Sequence, residues 1–99
     1  MDSEFKLFWT EEAISNLESI LNYISSEWTE REVINFKKIL SRQIQLIGQF
    51  PLIFPRSVYN PRLRKAVLSK QTIIFYEVKN QLIYIVFLFN TLQNPEKFK

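Results

Sequence analysis

The order of its segments predicts an α+β fold: an N-terminal strand, an antiparallel helical hairpin, then three antiparallel strands completing one mostly antiparallel sheet. Three observations carry that prediction. Two long amphipathic stretches follow one another with almost no linker, which favours antiparallel helices. Three apolar runs rich in β-branched and aromatic residues come after them, and the last two are separated only by a polar "KNQ" (Lys79 to Gln81). Helices grouped on one side of such a sheet form a two-layer domain.

The first element is "EFKLFW" (Glu4 to Trp9). Its alternation puts Phe5, Leu7 and Trp9 on one face of a strand. Thr10 follows as a helix N-cap, and Glu11 and Glu12 suit the positive end of a helix dipole. The first helix is expected from about Glu11 to Glu27. Ile14, Leu17, Leu21 and Ile24 are spaced as one buried stripe, widened by Ala13 and Ile20. "TERE" (Thr29 to Glu32) is a capping box, with Thr29 as N-cap and Glu32 reaching back. It opens a second helix that runs to near Phe50. Val33, Phe36, Leu40, Ile44 and Ile47 mark its apolar face, and Gly48 and Pro51 are expected to end it.

"FPLIFPRSVYNPRLRK" (Phe50 to Lys65) holds three prolines and reads as a loop. Phe50, Ile53 and Phe54 within it either pack down over a sheet face or form an exposed patch for a partner. "LRKAVL" (Leu63 to Leu68) is the weakest strand, and "TIIFYEV" (Thr72 to Val78) and "LIYIVFLF" (Leu82 to Phe89) are the strongest. The last is apolar on both faces, as a covered central strand requires.

The whole chain, residues 1–99, is expected to form one domain, because 99 residues bury one modest core and not two. A 46% hydrophobic content is too high for a disordered chain. The single glycine excludes a glycine-rich phosphate loop. The absence of cysteine removes disulfides, thiol nucleophiles and thiolate metal sites. The absence of histidine removes the commonest general base and metal ligand. No cofactor or metal is therefore expected, and an enzyme is the weaker reading. The acidic N-terminus has no signal-peptide core and no apolar run reaches membrane length, so a cytoplasmic protein with no membrane association is expected. A net charge of +3 permits an acidic or nucleic-acid partner without requiring one.

The strongest candidate for binding is the basic cluster Arg56, Arg62, Arg64 and Lys65. These cations suit phosphate contacts, with Tyr59 and Tyr76 as stacking partners if they lie nearby. The alternative is a solvated loop and edge strand, since charged residues commonly protect sheet edges. Arg31, Lys38 and Arg42 share one face of the second helix, opposite its apolar stripe, where solvent is the ordinary neighbour. Glu77 lies among apolar residues; it is either a buried acid or, more simply, a solvated one paired with a lysine across the sheet. Lys97 and Lys99 in the terminal "EKFK" stand to touch phosphate or an acidic partner, or to fray.

The ordered set "LFWTEEAISNLESILNYI", "RLRKAVL", "IIFYEV", "IYIVFLF" and "NTLQNPEKFK" resembles the RelE/ParE superfamily, the toxins of type II toxin–antitoxin systems. The resemblance covers nearly the whole chain. It implies a small cytoplasmic growth inhibitor, made beside an antitoxin that wraps it. RelE-like members cut mRNA on the ribosome with basic residues and a Tyr or His. ParE-like members inhibit DNA gyrase without a comparable cleavage site. In the histidine-bearing nucleases the end of the last strand supplies acid–base groups. That place is Asn90 and Thr91 here, and neither titrates near neutrality. Asn90 and Leu92 also replace an Asp and an Arg common in similar tails, and Ala66 and Val67 fall where those nucleases carry a catalytic Arg.

The expected function is thus a ParE-like toxin that binds a macromolecular target such as DNA gyrase. Two alternatives remain open. One is a ribosome-dependent mRNA endonuclease with a histidine-free site, in which Arg62, Arg64 and Lys65 stabilise phosphorane charge and Tyr76 or Tyr84 assists. The other is a non-toxic remnant that only binds its antitoxin. In each case the target-binding candidates are Arg56, Arg62, Arg64, Lys65 and Lys97. An antitoxin segment is expected over the apolar sheet or loop surface, as an amphipathic helix or an added strand.

Overall fold

The computed structural model describes residues 5–69 and 71–91. The elements are β1 (Lys6–Trp9), α1 (Glu11–Glu27), α2 (Glu30–Gln49), β2 (Arg64–Val67), β3 (Thr72–Lys79) and β4 (Leu82–Asn90). The sheet runs β1-β4-β3-β2. β1 lies parallel to β4, and the other two pairs are antiparallel. The mostly antiparallel α+β expectation therefore holds. The two-residue turn Asn80–Gln81 joins β3 to β4, and Asn80 carries its left-handed φ of 55°. Asn tolerates that conformation better than most side chains.

Both helix starts follow their sequence signals. Thr10 Oγ1 accepts from the Ala13 N–H at 3.0 Å. In the capping box, Thr29 Oγ1 accepts from the Glu32 N–H at 3.3 Å, and Glu32 Oε1 accepts from the Thr29 N–H at 3.1 Å. The end of α2 differs from expectation. Gly48 stays inside the helix with no positive φ, and the stop comes from Pro51, which has no N–H to continue the ladder.

The main core lies between the helices and one sheet face. Ala13, Ile20 and Ile24 of α1 and Phe36 and Ile47 of α2 pack on Ala66, Ile74, Tyr76, Ile83, Ile85 and Leu88. Phe5, Leu7 and Trp9 join it from the N-terminal segment, as their alternation predicts. Ile14 does not: it is 47% exposed, although its spacing fits the stripe. The roll of α1 is fixed by side chains that the spacing ignores. Thr10 Oγ1 donates to the Val86 carbonyl at 2.7 Å, and Asn16 Oδ1 accepts from the Leu88 N–H at 3.0 Å. These bonds turn Ala13 and Ile20 inward and leave Ile14 on the rim.

β4 is buried on both faces, and an irregularity in its pairing decides which residues reach each. Phe75 pairs with Phe87 but Tyr76 pairs with Ile85, so Val86 is an extra residue. Beyond that bulge Phe87 and Phe89 turn to the face opposite the helices. There Leu63, Ile73, Phe75 and Phe89 form a second cluster, with Phe75 and Phe87 stacked at 4.6 Å. Among the described residues no helix is long and apolar enough to cross a membrane.

Candidate functional site

The loop between α2 and β2 makes the site, and side chains from the sheet hold it. The Tyr76 hydroxyl donates to the Pro51 carbonyl at 2.7 Å. Arg64 Nη1 donates to the Phe54 carbonyl at 2.7 Å and more weakly to that of Leu52 at 3.4 Å. The Lys65 N–H reaches the Pro55 carbonyl at 2.9 Å, and the Ser57 N–H reaches that of Leu63 at 2.8 Å. An isolated bridge between Arg56 and Arg64 lays this stretch along the outer edge of β2. Ser57 Oγ then accepts from the N–H groups of Tyr59 and Asn60, and Asn60 Oδ1 accepts from that of Arg62. A loop with three prolines has few N–H groups to offer, so carbonyls dominate its accounting. The sheet supplies donors to match.

Of the loop's apolar residues, Phe54 packs down and meets the Tyr76 ring edge-on at 6.3 Å. Phe50 and Ile53 instead stand exposed, as does Leu52. The two fates expected of this segment are therefore divided among its residues.

Three of the predicted cations converge. Arg56, Arg62 and Arg64 line one shallow concavity of about 280 Å³ together with Leu52, Pro61, Glu77 and Val78. Among the described residues Glu77 is its sole carboxylate. It stands 3.9 Å from Arg62 Nε, and its side chain is only 22% exposed against 75% for Arg62. Glu77 is thus the arginine's partner, where sequence reasoning offered a lysine. Three guanidiniums against one carboxylate leave the concavity positive, which suits an anionic ligand.

Lys65 stands apart from that group. It pairs with Phe75, one residue out of phase with Arg64 opposite Tyr76, so its side chain leaves the opposite face. Tyr76 is fully buried rather than open for stacking or proton transfer. Burial pushes its hydroxyl from 10.0 up to about 12, against the opposing pull of Arg64. It remains a neutral donor to Pro51 throughout the physiological range. Tyr84 is on the face away from the helices, stacked on Phe8 at 5.8 Å. Tyr59 is exposed on the loop, whereas Tyr76 is buried.

At the end of β4, Asn90 is buried opposite Thr72, and the Thr91 N–H donates to the Gln71 carbonyl at 2.7 Å. Arg31 and Lys38 line a separate depression of about 330 Å³ along α2 with Ile34, and Arg42 is exposed beyond it. Leu92, Lys97 and Lys99 lie outside the described residues. Among the described residues no three carboxylates gather closely enough to hold a metal ion. Leu52 carries no local signal of its own, and its exposure beside three arginines is visible only once the loop is folded.

This framework has counterparts. A chromosomal ParDE toxin–antitoxin system from P. aeruginosa contains a chain that superposes with a TM-score of 0.75 at 18% identity, over 90% of this chain and 98% of that one. YafQ from E. coli strain BL21(DE3) gives 0.62 at 12% identity, covering 96% and 99%. A chain of the E. coli DinJ–YafQ toxin–antitoxin complex gives 0.59 at 10%, covering 92% and 97%. At such identities these structures speak for the fold alone. Among curated proteins none matches by sequence. The family model for the ParE toxin of the type II toxin–antitoxin system parDE matches residues 7–95. That span runs from β1 past the end of β4 and takes in the loop and its arginines. The chain belongs to the ParE toxin family of type II toxin–antitoxin systems.

Proposed function

We propose that this toxin inhibits growth by binding DNA gyrase through the arginine concavity, and that a cognate antitoxin restrains it in the cytoplasm. One observation supports binding over RNA cleavage. Among the described residues guanidiniums dominate the concavity's lining, its one carboxylate, Glu77, sits 3.9 Å from Arg62, and the Tyr76 hydroxyl is buried and donates to Pro51. Cleavage of RNA asks for a general base and a general acid within reach of the reacting oxygens. An arginine cluster by itself stabilises anionic charge and holds a partner. The antitoxin part rests on similarity, since the solved ParDE and DinJ–YafQ structures are of toxin–antitoxin systems.

The endonuclease reading keeps one observation in its favour: Arg56, Arg62 and Arg64 do converge, as phosphorane stabilisation needs. Induction of the chain in bacteria separates the readings. Gyrase binding predicts growth arrest with DNA breaks, filamentation and intact mRNA, and loss of supercoiling activity when purified toxin meets gyrase. New mRNA 5′ ends inside translated codons would establish the nuclease instead. Unimpeded growth would leave a remnant that only binds an antitoxin.

A further inference from the structure

We propose that two copies of this chain associate by antiparallel pairing of their β1 strands, with Phe8 facing Phe8 of the second copy across a two-fold axis. The inference rests on the fold and does not depend on what the arginine concavity binds.

The two edges of the sheet differ. Beyond β2 lies the loop, bonded from the Lys65 N–H to Pro55 and from the Ser57 N–H to Leu63. Beyond β1, among the described residues, nothing pairs. The Lys6 N–H donates to the Gln81 carbonyl and the Thr10 N–H to that of Ile85, so the even-numbered residues of this stretch face β4. Leu7 and Trp9 therefore turn their N–H and C=O groups the other way. An open edge of this kind is a template for another strand.

A second β1 fits that edge in bonding, packing and charge. In antiparallel register about Phe8, Leu7 of each copy meets Trp9 of the other, and each meeting exchanges two backbone bonds. Leu7 and Trp9 are both half-buried on the helix side, so they cover one another further there. On the other face the axis sets Phe8 opposite itself, at the closely spaced position between the bonded pairs. Phe8 is 45% exposed and already stacks on Tyr84 at 5.8 Å, so the aromatic row continues from one copy into the next. Lys6 falls opposite Thr10, and Glu11 and Glu12 follow directly. The basic end of each β1 thus meets the acidic end of the other.

The loop occupies the opposite edge, so association stops at two and does not run on as a filament. The arginine concavity lies at that same β2 edge. The dimer carries one concavity at each end of its continuous sheet, and a target with paired sites would engage both at once.

The test follows the full chain alone by sedimentation over a wide range of concentration, with amide exchange read residue by residue. Dimers are expected. The amides of Leu7 and Trp9 should slow as concentration rises, while those of Phe8 and Thr10, already bonded to β4, should not. Phe8→Lys and Phe8→Glu should each weaken self-association by roughly tenfold or more, since each sets like charges opposite one another. Mixed together, the two variants should reassociate, because the axis brings the introduced ammonium against the introduced carboxylate. Only a residue that faces its own copy gives that result. Both substitutions fall at an exposed side chain, and circular dichroism and melting temperatures check that each variant folds. The proposal falls if the chain stays monomeric, if Leu7 and Trp9 exchange without regard to concentration, or if the mixture does not reassociate. A dimer that both single variants leave intact would place the contact elsewhere and overturn it equally.

Discussion

Two corners of the molecule use the same device to opposite ends. At the first, Thr10 and Asn16 of the α1 region reach the backbone of β4 at Val86 and Leu88. β1 pairs with β4 only as far as Ile85, so these side chains take over where the partner strand stops. At the second corner, Tyr76 and Arg64 of the sheet reach the backbone of the loop at Pro51, Leu52 and Phe54. In both places a side chain closes a backbone account that secondary structure leaves open. The first corner turns Ala13 and Ile20 into the core. The second turns Leu52 and Ile53 out of it. A buried bond says that a position is fixed; what it presents tells whether the position serves the fold or a partner.

The comparison breaks most severely at Tyr76, which belongs to the core and to the loop together. Tyr76→Ala empties a fully buried ring site and is expected to cost about 3–5 kcal/mol, read by denaturant unfolding. Tyr76→Phe keeps the ring and leaves the Pro51 carbonyl without its donor, for about 1–3 kcal/mol. Its pH dependence is a sharper signature. The folded hydroxyl titrates at about 12 against an ordinary 10.0, so folding favours the protonated form. That stability is fully present below pH 10.0 and drains away as pH rises toward about 12. Unfolding of Tyr76→Phe should lack this alkaline slope; an unchanged slope would assign it to other groups.

Asn16→Ala and Arg64→Ala set the corners against each other. Asn16→Ala leaves the Leu88 N–H unpaired beside the core and is expected to cost about 1–3 kcal/mol globally. Arg64→Ala frees carbonyls that water can reach at the surface, so its global effect should be smaller. Its mark is local: amide exchange at Ile53, bonded to Phe50 within the loop, should quicken while the β3 and β4 amides keep their protection. Equal quickening across the sheet would mean that the loop is part of the core's cooperative unit.

The sequence carried the first corner better than the second. Thr10, the Thr29–Glu32 box and the paired apolar runs announce the helices and strands because those signals are local. The Ile14 error arose because spacing fixes the period of a helix but not its roll, which Asn16 sets from across the chain. Gly48 misled for a related reason: a glycine near a helix end invites a left-handed cap, yet Pro51 stops this helix first. At the site, proximity in sequence suggested one basic cluster, and strand alternation divides it, sending Lys65 to the far face from Arg64. The loop's shape rests on residues well downstream, from Arg64 on Phe54 to Tyr76 on Pro51, and no local motif encodes such bonds.

Arg62→Ala is expected to move stability least. Its guanidinium is largely solvated and lies 3.9 Å from Glu77, a separation at which an exposed pair contributes on the order of 0–1 kcal/mol. The unfolding midpoint should scarcely shift. Binding should respond in the opposite proportion, because removing Arg62 takes one of three guanidiniums from the concavity and releases Glu77 to repel an acidic partner. Slower association with gyrase, with a weaker dependence on salt, is the expected outcome in a surface-binding assay. The double change Arg62→Ala with Glu77→Gln separates the two contributions: recovery of the rate would mean that the freed carboxylate was the obstacle, and no recovery would mean that the partner touches Arg62 itself. If neither variant alters association while both fold normally, the proposal that the arginine concavity holds gyrase fails.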